Sequence, residues 1–252
     1  METKLYGSVL IKAAQILDVL GDGKSKTIHE ISTVTGITPP TVSKILTTLV
    51  YIGYVSKARE SKEYFLGTKL IQFGNVKTDT TSLIEITQPF LQMLQSEIDE
   101  TVHFAVPREN EVVYVNKIEP KNQNIYMTSK IGLTRPLYSS GIGKAVLSTY
   151  DDTVINDYLA TTKLIPFTDH TITTPQKLLT EIKKIRKQGF SIDDEEQEKD
   201  MYCVATYIKQ ADITVGALSI SLPKFRMTEA YRNKIIKAIL DIKVKIETEI
   251  NS

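Results

Sequence analysis

Several stretches of this chain carry residue types that do chemistry. Glycines precede a lysine in GDGKS at 21–25 and in GIGK at 141–144, and glycine-rich turns can cradle phosphate with their amides. The phosphate-loop pattern needs glycine at position 18, where Asp18 stands, and a hydroxyl residue after Lys144, where Ala145 stands. Nucleotide binding is therefore not expected. The acidic run Asp193-Asp194-Glu195-Glu196 has the composition of a metal site or of paired catalytic carboxylates, but such runs are usually solvated loops. Cys203 and His103 form a nominal nucleophile–base couple. No third residue supports them and both sit in apolar strand-like patterns, so a buried, inert thiol is the stronger reading. His29, His103 and His170 are too scattered for a metal-ligand motif. No catalytic residue, cofactor or metal is expected. Two features suit small-molecule binding instead. Ser219 and Ser221 alternate on one strand and share a face. Ser140-Gly141-Ile142 starts a helix, whose first amides are free to hold a carboxylate.

These groups need elements to position them. The 252 residues suffice for two compact domains, and 41% apolar with 24% charged residues is ordinary globular composition. No run is apolar enough to span a membrane, and the first residues lack the layout of a signal peptide. With one cysteine there is no internal disulfide, and these features together favour the cytoplasm. The net charge of +1 is unevenly spread. Residues 1–75 hold nine Lys/Arg and six Asp/Glu, a balance of +3, which leaves −2 for the remainder. An excess of three is modest for a nucleic-acid binder, so two copies acting together are favoured.

The apolar spacing of Val9, Leu10, Ala13, Ile16, Leu17 and Leu20 predicts a first helix, with Ser8 as its N-cap and Gly21 and Gly23 at its end. Thr27-Ile28-His29-Glu30 has the form of a capping box opening a short second helix. Thr38 is placed to cap a third, with Pro39 in its first turn and Gly53 supplying a left-handed stop. Its buried stripe is Val42, Ile45, Leu46, Leu49 and Ile52. YVSKA and EYFLG then read as two short strands around a charged tip at 59–62. Three helices followed by a hairpin is the order of a winged helix-turn-helix. After a polar linker at 74–82, a helix follows from about Leu83 to Ile98, kinked or divided at Pro89. Strands are expected in TVHFAV, EVVYVNKI, CVATYI and ITVGALSISL, and helices at 141–150, 151–160, 175–188 and 228–250.

SVLIKAAQILDVL, TIHEISTVTGITPPTVSKILTTLVYIGYV and EYFLGTKLIQFG, with RPLYSSGIGKA, GFSIDDEEQEKDMYCVA and VGALSISLP, resemble the IclR family of bacterial transcription regulators over nearly the whole chain. The resemblance implies an α+β protein: a winged helix-turn-helix at 1–75, a helical linker region at 76–99, and a GAF-like α/β effector-binding and oligomerisation domain at 100–252. It implies dimers or tetramers on double-stranded operator DNA, most often as repressors. It also places Met127, Gly141, Ile142, Asp193, Cys203, Ser219 and Ser221 around an effector pocket. There Asp193 would bond a ligand hydroxyl or amide. At class level the effector would be a small organic acid of carbon catabolism. This sequence departs from the family at Asp200, where glycine is common, at Tyr207 for proline, Ile142 for alanine and Tyr138 for histidine.

On the third helix, Pro40, Thr41, Ser43, Lys44 and Thr47 face away from the buried stripe, and Thr38 stands at its head. Hydroxyls can bond phosphates or base edges, and a lysine can take a phosphate or a guanine. Ser8, Lys12 and Thr27 are placed to add backbone contacts, and Lys57, Arg59 and Lys62 suit a wing touching flanking phosphates or the minor groove. The family usually has a basic residue at the position of Pro40 and arginine at that of Lys44. Two other functions fit the sequence less well. One is a small-molecule enzyme using the acidic loop and Cys203 with an attached helical domain. The other is a partner-binding module whose winged helix docks protein.

Overall fold

The computed structural model describes residues 6–58, 60–74, 79–122 and 127–252, and Arg59 lies outside them. The chain forms two compact units, Met1–Lys77 and Thr78–Ser252.

In the first unit, α1 (Ser8–Leu20), α2 (Ile28–Thr35) and α3 (Pro39–Tyr51) precede strands β1 (Val55–Lys57) and β2 (Tyr64–Leu66) and a short α4 (Lys69–Gly74). Ile16, Leu20, Ile31, Val42, Leu46, Leu49 and Val55 form one buried cluster, so each helix is fixed by its apolar stripe. Thr27 and Glu30 close the expected capping box. The end of α3 is a Schellman turn: Gly53, at φ 81°, donates to the Val50 carbonyl and Tyr54 donates to that of Leu49. Two caps differ from expectation. Gly7, in the left-handed region, is the N-cap of α1, and Ser8 is already its first helical residue. The Thr38 hydroxyl makes no bond to its helix amides; it pairs with the Thr41 hydroxyl at 3.0 Å. Lys26 exchanges two backbone hydrogen bonds with Tyr64, tying the α1–α2 connection to the hairpin.

The second unit is a six-stranded antiparallel sheet between two helical layers. Its strands are β3 (Thr101–Arg108), β4 (Glu111–Ile118), β5 (Thr134–Pro136), β6 (Ser191–Asp194), β7 (Met201–Gln210) and β8 (Ile213–Pro223), in the order β5-β4-β3-β8-β7-β6. Helices α5 (Asp79–Ile98) and α9 (Glu229–Ile250) cover one face, where Leu91, Leu94, Ile235 and Ile239 meet Val102, Phe104, Val204 and Ile220. Helix α5 is thus a packed member of this unit, and it runs through Pro89 without division. The other face carries α6 (Gly141–Leu147), α7 (Asp152–Thr161) and α8 (Pro175–Gln188) over Ala105, Ala205 and Ala217. The edge strands β5 and β6 are absent from the sequence reading. The acidic run therefore begins on a strand, with Asp193 paired to Cys203 and Asp194 to Tyr202.

Gly216 lies on β8, where an added Cβ would stand 2.5 Å from the Phe104 ring. Gly216→Ala is expected to cost about 1–3 kcal/mol through overpacking. Thermal unfolding checks this, and an unchanged midpoint would mean that the ring yields freely.

Candidate functional site

In β3, in β7 between Tyr202 and Ala205, and in β8 between Gly216 and Leu222, even-numbered residues face α5 and α9 and odd-numbered ones face α6; nearer the β7–β8 turn a bulge shifts the register and Val215 joins the α5–α9 core. Under α6 the odd positions are alanines, so the helix can lie close to the sheet. Gly143 takes part in this closeness, because a Cβ there would fall 2.6 Å from the Pro136 carbonyl. The GIGK glycines therefore serve packing. Beyond the start of α6 the odd positions become His103, Cys203, Ser219 and Ser221, and a cavity of about 490 Å³, its open mouth included, lies over them. Register brings them together: His103 is paired with Ser219, and Cys203 with Ser221.

All seven residues expected around a pocket line this cavity: Met127, Gly141, Ile142, Asp193, Cys203, Ser219 and Ser221. Two have partners the sequence did not disclose. Asp193 Oδ1 accepts from the amides of Glu196 (2.7 Å) and Gln197 (3.3 Å), and the Gly141 amide is a further hydrogen-bond donor to this carboxylate. Burial nonetheless pushes the Asp193 carboxyl above its ordinary range, with Lys144 and these amides opposing. The α6 amides are thus less open than expected.

His103, Tyr114, Ser129 and Arg135 also line the cavity. His103 Nε2 lies 2.7 Å from the Ser129 hydroxyl, and Nδ1 faces the Ser219 and Ser221 hydroxyls at 3.4 and 3.5 Å. Its ring stacks at a tilt on Tyr114, with centroids 4.8 Å apart. Burial, helped by Lys117 and Arg135, lowers the imidazole to about 3, so it stays neutral. Burial and the nearby Asp193 push the Cys203 thiol up, which keeps it protonated. No signal within β3 singles out His103; only the pairing of β3 with β8 places it beside Ser219. Arg135 lies within the quoted stretch RPLYSSGIGKA.

The acidic run is not a solvated loop. Asp194 pairs with Lys224 at 2.7 Å, and Glu195 bonds Lys224 and accepts from the Asp200 amide at 3.0 Å. Asp200 adopts φ 62°, a left-handed conformation that explains why glycine suits this position. Glu196 pairs with the fully buried Lys144, which also donates to the Ile192 carbonyl at 2.7 Å. Among the described residues no group of three or more His, Cys, Asp or Glu could hold a metal ion.

In the first unit, Pro40, Lys44 and Thr47 are exposed on α3, and Thr41 and Ser43 are half-buried. The Thr47 hydroxyl donates to the Ser43 carbonyl at 2.9 Å, and that of Thr27 donates to Glu30 at 2.8 Å. A hydroxyl has one proton, so neither can donate to phosphate in this arrangement. Ser8 is exposed and Lys12 half-buried on α1. Lys57 and Lys62 are exposed on the hairpin, with the Lys57 ammonium 5.5 Å from the Tyr64 ring centroid. Sequence expectation and structure agree that basic and hydroxyl groups share the outer side of α3.

A winged helix with such a face, joined to an α/β unit with a polar cavity, defines a DNA-binding regulator with a sensing domain. Residues 9–59 match the IclR helix-turn-helix domain, and residues 76–248 match the bacterial transcriptional regulator IclR C-terminal domain. This chain belongs to the IclR family of bacterial transcriptional regulators. It is 32% identical over 223 residues to the HTH-type transcriptional regulator KdgR of Escherichia coli strain K12, covering 88% of this chain and 84% of that protein. The crystal structure of Thermotoga maritima IclR superposes with a TM-score of 0.78 at 28% identity, covering 97% of this chain and 99% of that one. An IclR homologue from Microbacterium hydrocarbonoxydans, crystallised with 4-hydroxybenzoate, shares the fold at 18% identity (TM-score 0.79), covering 96% of this chain and 98% of that one.

Burial pushes Glu196 up to about 7, Lys144 opposes it, and Asp193 and Glu181 add to it. Its Oε2 is buried without a hydrogen-bond partner among the described residues. A carboxyl raised above its unfolded value lends stability that is fully present below its ordinary value of 4.5 and lost as pH rises through about 7. Lys144→Met removes the cation paired with Glu196 and should cost about 3 kcal/mol at about pH 8 and less near pH 5. Adding Glu196→Gln should recover most of the loss. Urea unfolding at both pH values tests this, and a deficit independent of pH would contradict it.

Proposed function

We propose that this chain is a cytoplasmic repressor that binds operator DNA as a homodimer or homotetramer and responds to a small carboxylate held in the cavity of the second unit. The observation that carries the reading is the convergence of Ser219, Ser221, His103, Cys203 and Asp193 on one cavity from four strands. Such a wall hydrogen-bonds a small polar molecule and offers no reactive nucleophile. An organic acid of carbon catabolism suits it. The 4-hydroxybenzoate bound by the Microbacterium homologue is itself a hydroxylated carboxylate.

On the DNA side, Lys44 is exposed and no ion pair engages it among the described residues. Ser43, Lys44 and one of the Thr38 and Thr41 protons are the donors that α3 presents, with Lys57 and Lys62 added by the hairpin and Arg59 assigned from the sequence alone. Ser8, Lys12 and Thr27 are flanking positions, Thr27 as an acceptor only. Pro40 and Thr47 give the face its shape. An exposed apolar pair on α1, Val9 (56%) and Leu10 (70%), is consistent with a partner subunit. A catalytic reading has less support, because the Cys203 thiol is protonated and His103 is engaged by Ser129.

Lys44→Ala should weaken operator binding in gel-shift titration. Neutralising Lys57, Arg59 and Lys62 as well should flatten its salt dependence by about 0.9 in log–log slope for each phosphate contact removed. A folded quadruple variant with unchanged affinity and slope would exclude the α3–hairpin face. Footprinting should show paired protections about one helical turn, or a multiple of it, apart. A lone half-site bound by monomer would exclude the dimer. For the cavity, Ser219→Ala/Ser221→Ala should raise the dissociation constant of a bound organic acid roughly five- to 150-fold, the worth of about 1–3 kcal/mol. Calorimetry reads this directly. A double variant that responds at the wild-type concentration would place the ligand elsewhere.

A further inference from the structure

Arg135 sits on edge strand β5, opposite Val112, and lines the cavity half-buried. Other cations of this region are matched. Lys117 pairs with Glu119 at 2.6 Å, Lys144 with Glu196, and Lys224 with Asp194 and Glu195. Arg135 has no carboxylate within ion-pair distance among the described residues, although the cavity contains two. Asp193 is directed to backbone amides, and Glu198 lies 3.5 Å from the Thr128 hydroxyl. The guanidinium is nevertheless held in place. Tyr114 is hydrogen-bonded to it, and Tyr114 stacks on His103, which is fixed by Ser129.

We infer that Arg135 is the anchor for the effector's carboxylate, and that the hydroxyl-bearing part of the effector lies across Ser219, Ser221 and His103. The inference rests on the cavity being the effector site and adds the polarity of the ligand within it. A guanidinium presents parallel donors that match a carboxylate, and a half-buried one gains most from a partner that displaces its remaining water. The serines, the imidazole and the Asp193 carboxylate combine donors and acceptors, which suits hydroxyl groups. The ligand class is therefore a hydroxylated carboxylic acid.

The test is calorimetry on the full chain with two acids, lactate and gluconate, and their neutral counterparts, propane-1,2-diol and glucitol. At least one acid should bind, with its neutral counterpart at least about tenfold weaker. Arg135→Gln should raise the acid's dissociation constant about ten- to 150-fold and abolish the preference for acid over alcohol. Arg135→Lys, which keeps the charge without the fork, should recover part of the affinity. Circular dichroism of each variant confirms folding. If an acid binds Arg135→Gln as tightly as the wild type but is weakened by Ser219→Ala/Ser221→Ala, the anchor is wrong and the cavity reading stands. Equal binding of acid and alcohol also overturns the anchor. If none of the four probes binds the wild type, or if both sets of variants leave binding unchanged, the cavity reading falls with it.

Discussion

The second unit depends on a two-residue period kept in register through the centres of β3, β7 and β8, on one side of the bulge at Ile208/Lys209. Side chains on a strand alternate between faces, so one misplaced residue would turn every apolar group to the wrong layer. Here the even positions Val102, Phe104, Val204, Leu218 and Ile220 form a large-residue core under α5 and α9. The odd positions change character along the strand, from Ala105, Ala205 and Ala217 under α6 to His103, Cys203, Ser219 and Ser221 beyond it. Alanines let the helix sit close, and its end leaves the polar positions uncovered. The cavity thus follows from where α6 starts on a sheet whose register is fixed by the opposite face.

Charge organises the cavity's rim. A buried carboxylate without a partner is costly, and four acids in succession would repel one another in a dry loop. The strand β6 resolves this by sending alternate side chains to opposite sides. Asp193 turns inward to the amides of the following turn, and Asp194 turns outward to Lys224. Glu195 shares Lys224, while Glu196 reaches the buried Lys144 of α6. The consequence is that segment 195–200 is tied both to α6 and to the end of β8, so it forms a wall and not a flap.

Much of this could be read from the residues. The capping box at Thr27, the long strands and the stripe on α3, apart from Ile52, which is exposed at the helix C-cap, carry strong local signals, because propensity, period and punctuation agree there. Edge strands β5 and β6 carried none. Each has three or four residues, too few to display alternation, and β6 is half acidic. Ser8 lost its capping role because Gly7 can enter the left-handed region and stop the helix one residue earlier. Ser219 and Ser221 were visible because they alternate within one strand. His103, Tyr114 and Arg135 were not, since their membership depends on pairing between strands distant in sequence. Local pattern finds residues that share an element, and register decides which elements share a site.

The same accounting of partners limits what α3 can read. Of its hydroxyls, Thr47 and Thr48 return their protons to carbonyls of the preceding turn, and Thr38 and Thr41 share one bond between them. Ser43 and Lys44 remain as donors with no internal claim among the described hydrogen bonds and ion pairs. Lysine is a point charge without the planar fork that grips guanine at two atoms. A threonine whose proton is committed can still accept from a base amine and can still touch a thymine methyl. The helix is therefore better equipped for register and shape than for a long string of base-specific bonds. Its discrimination leans on the local form of the duplex more than on direct base contacts.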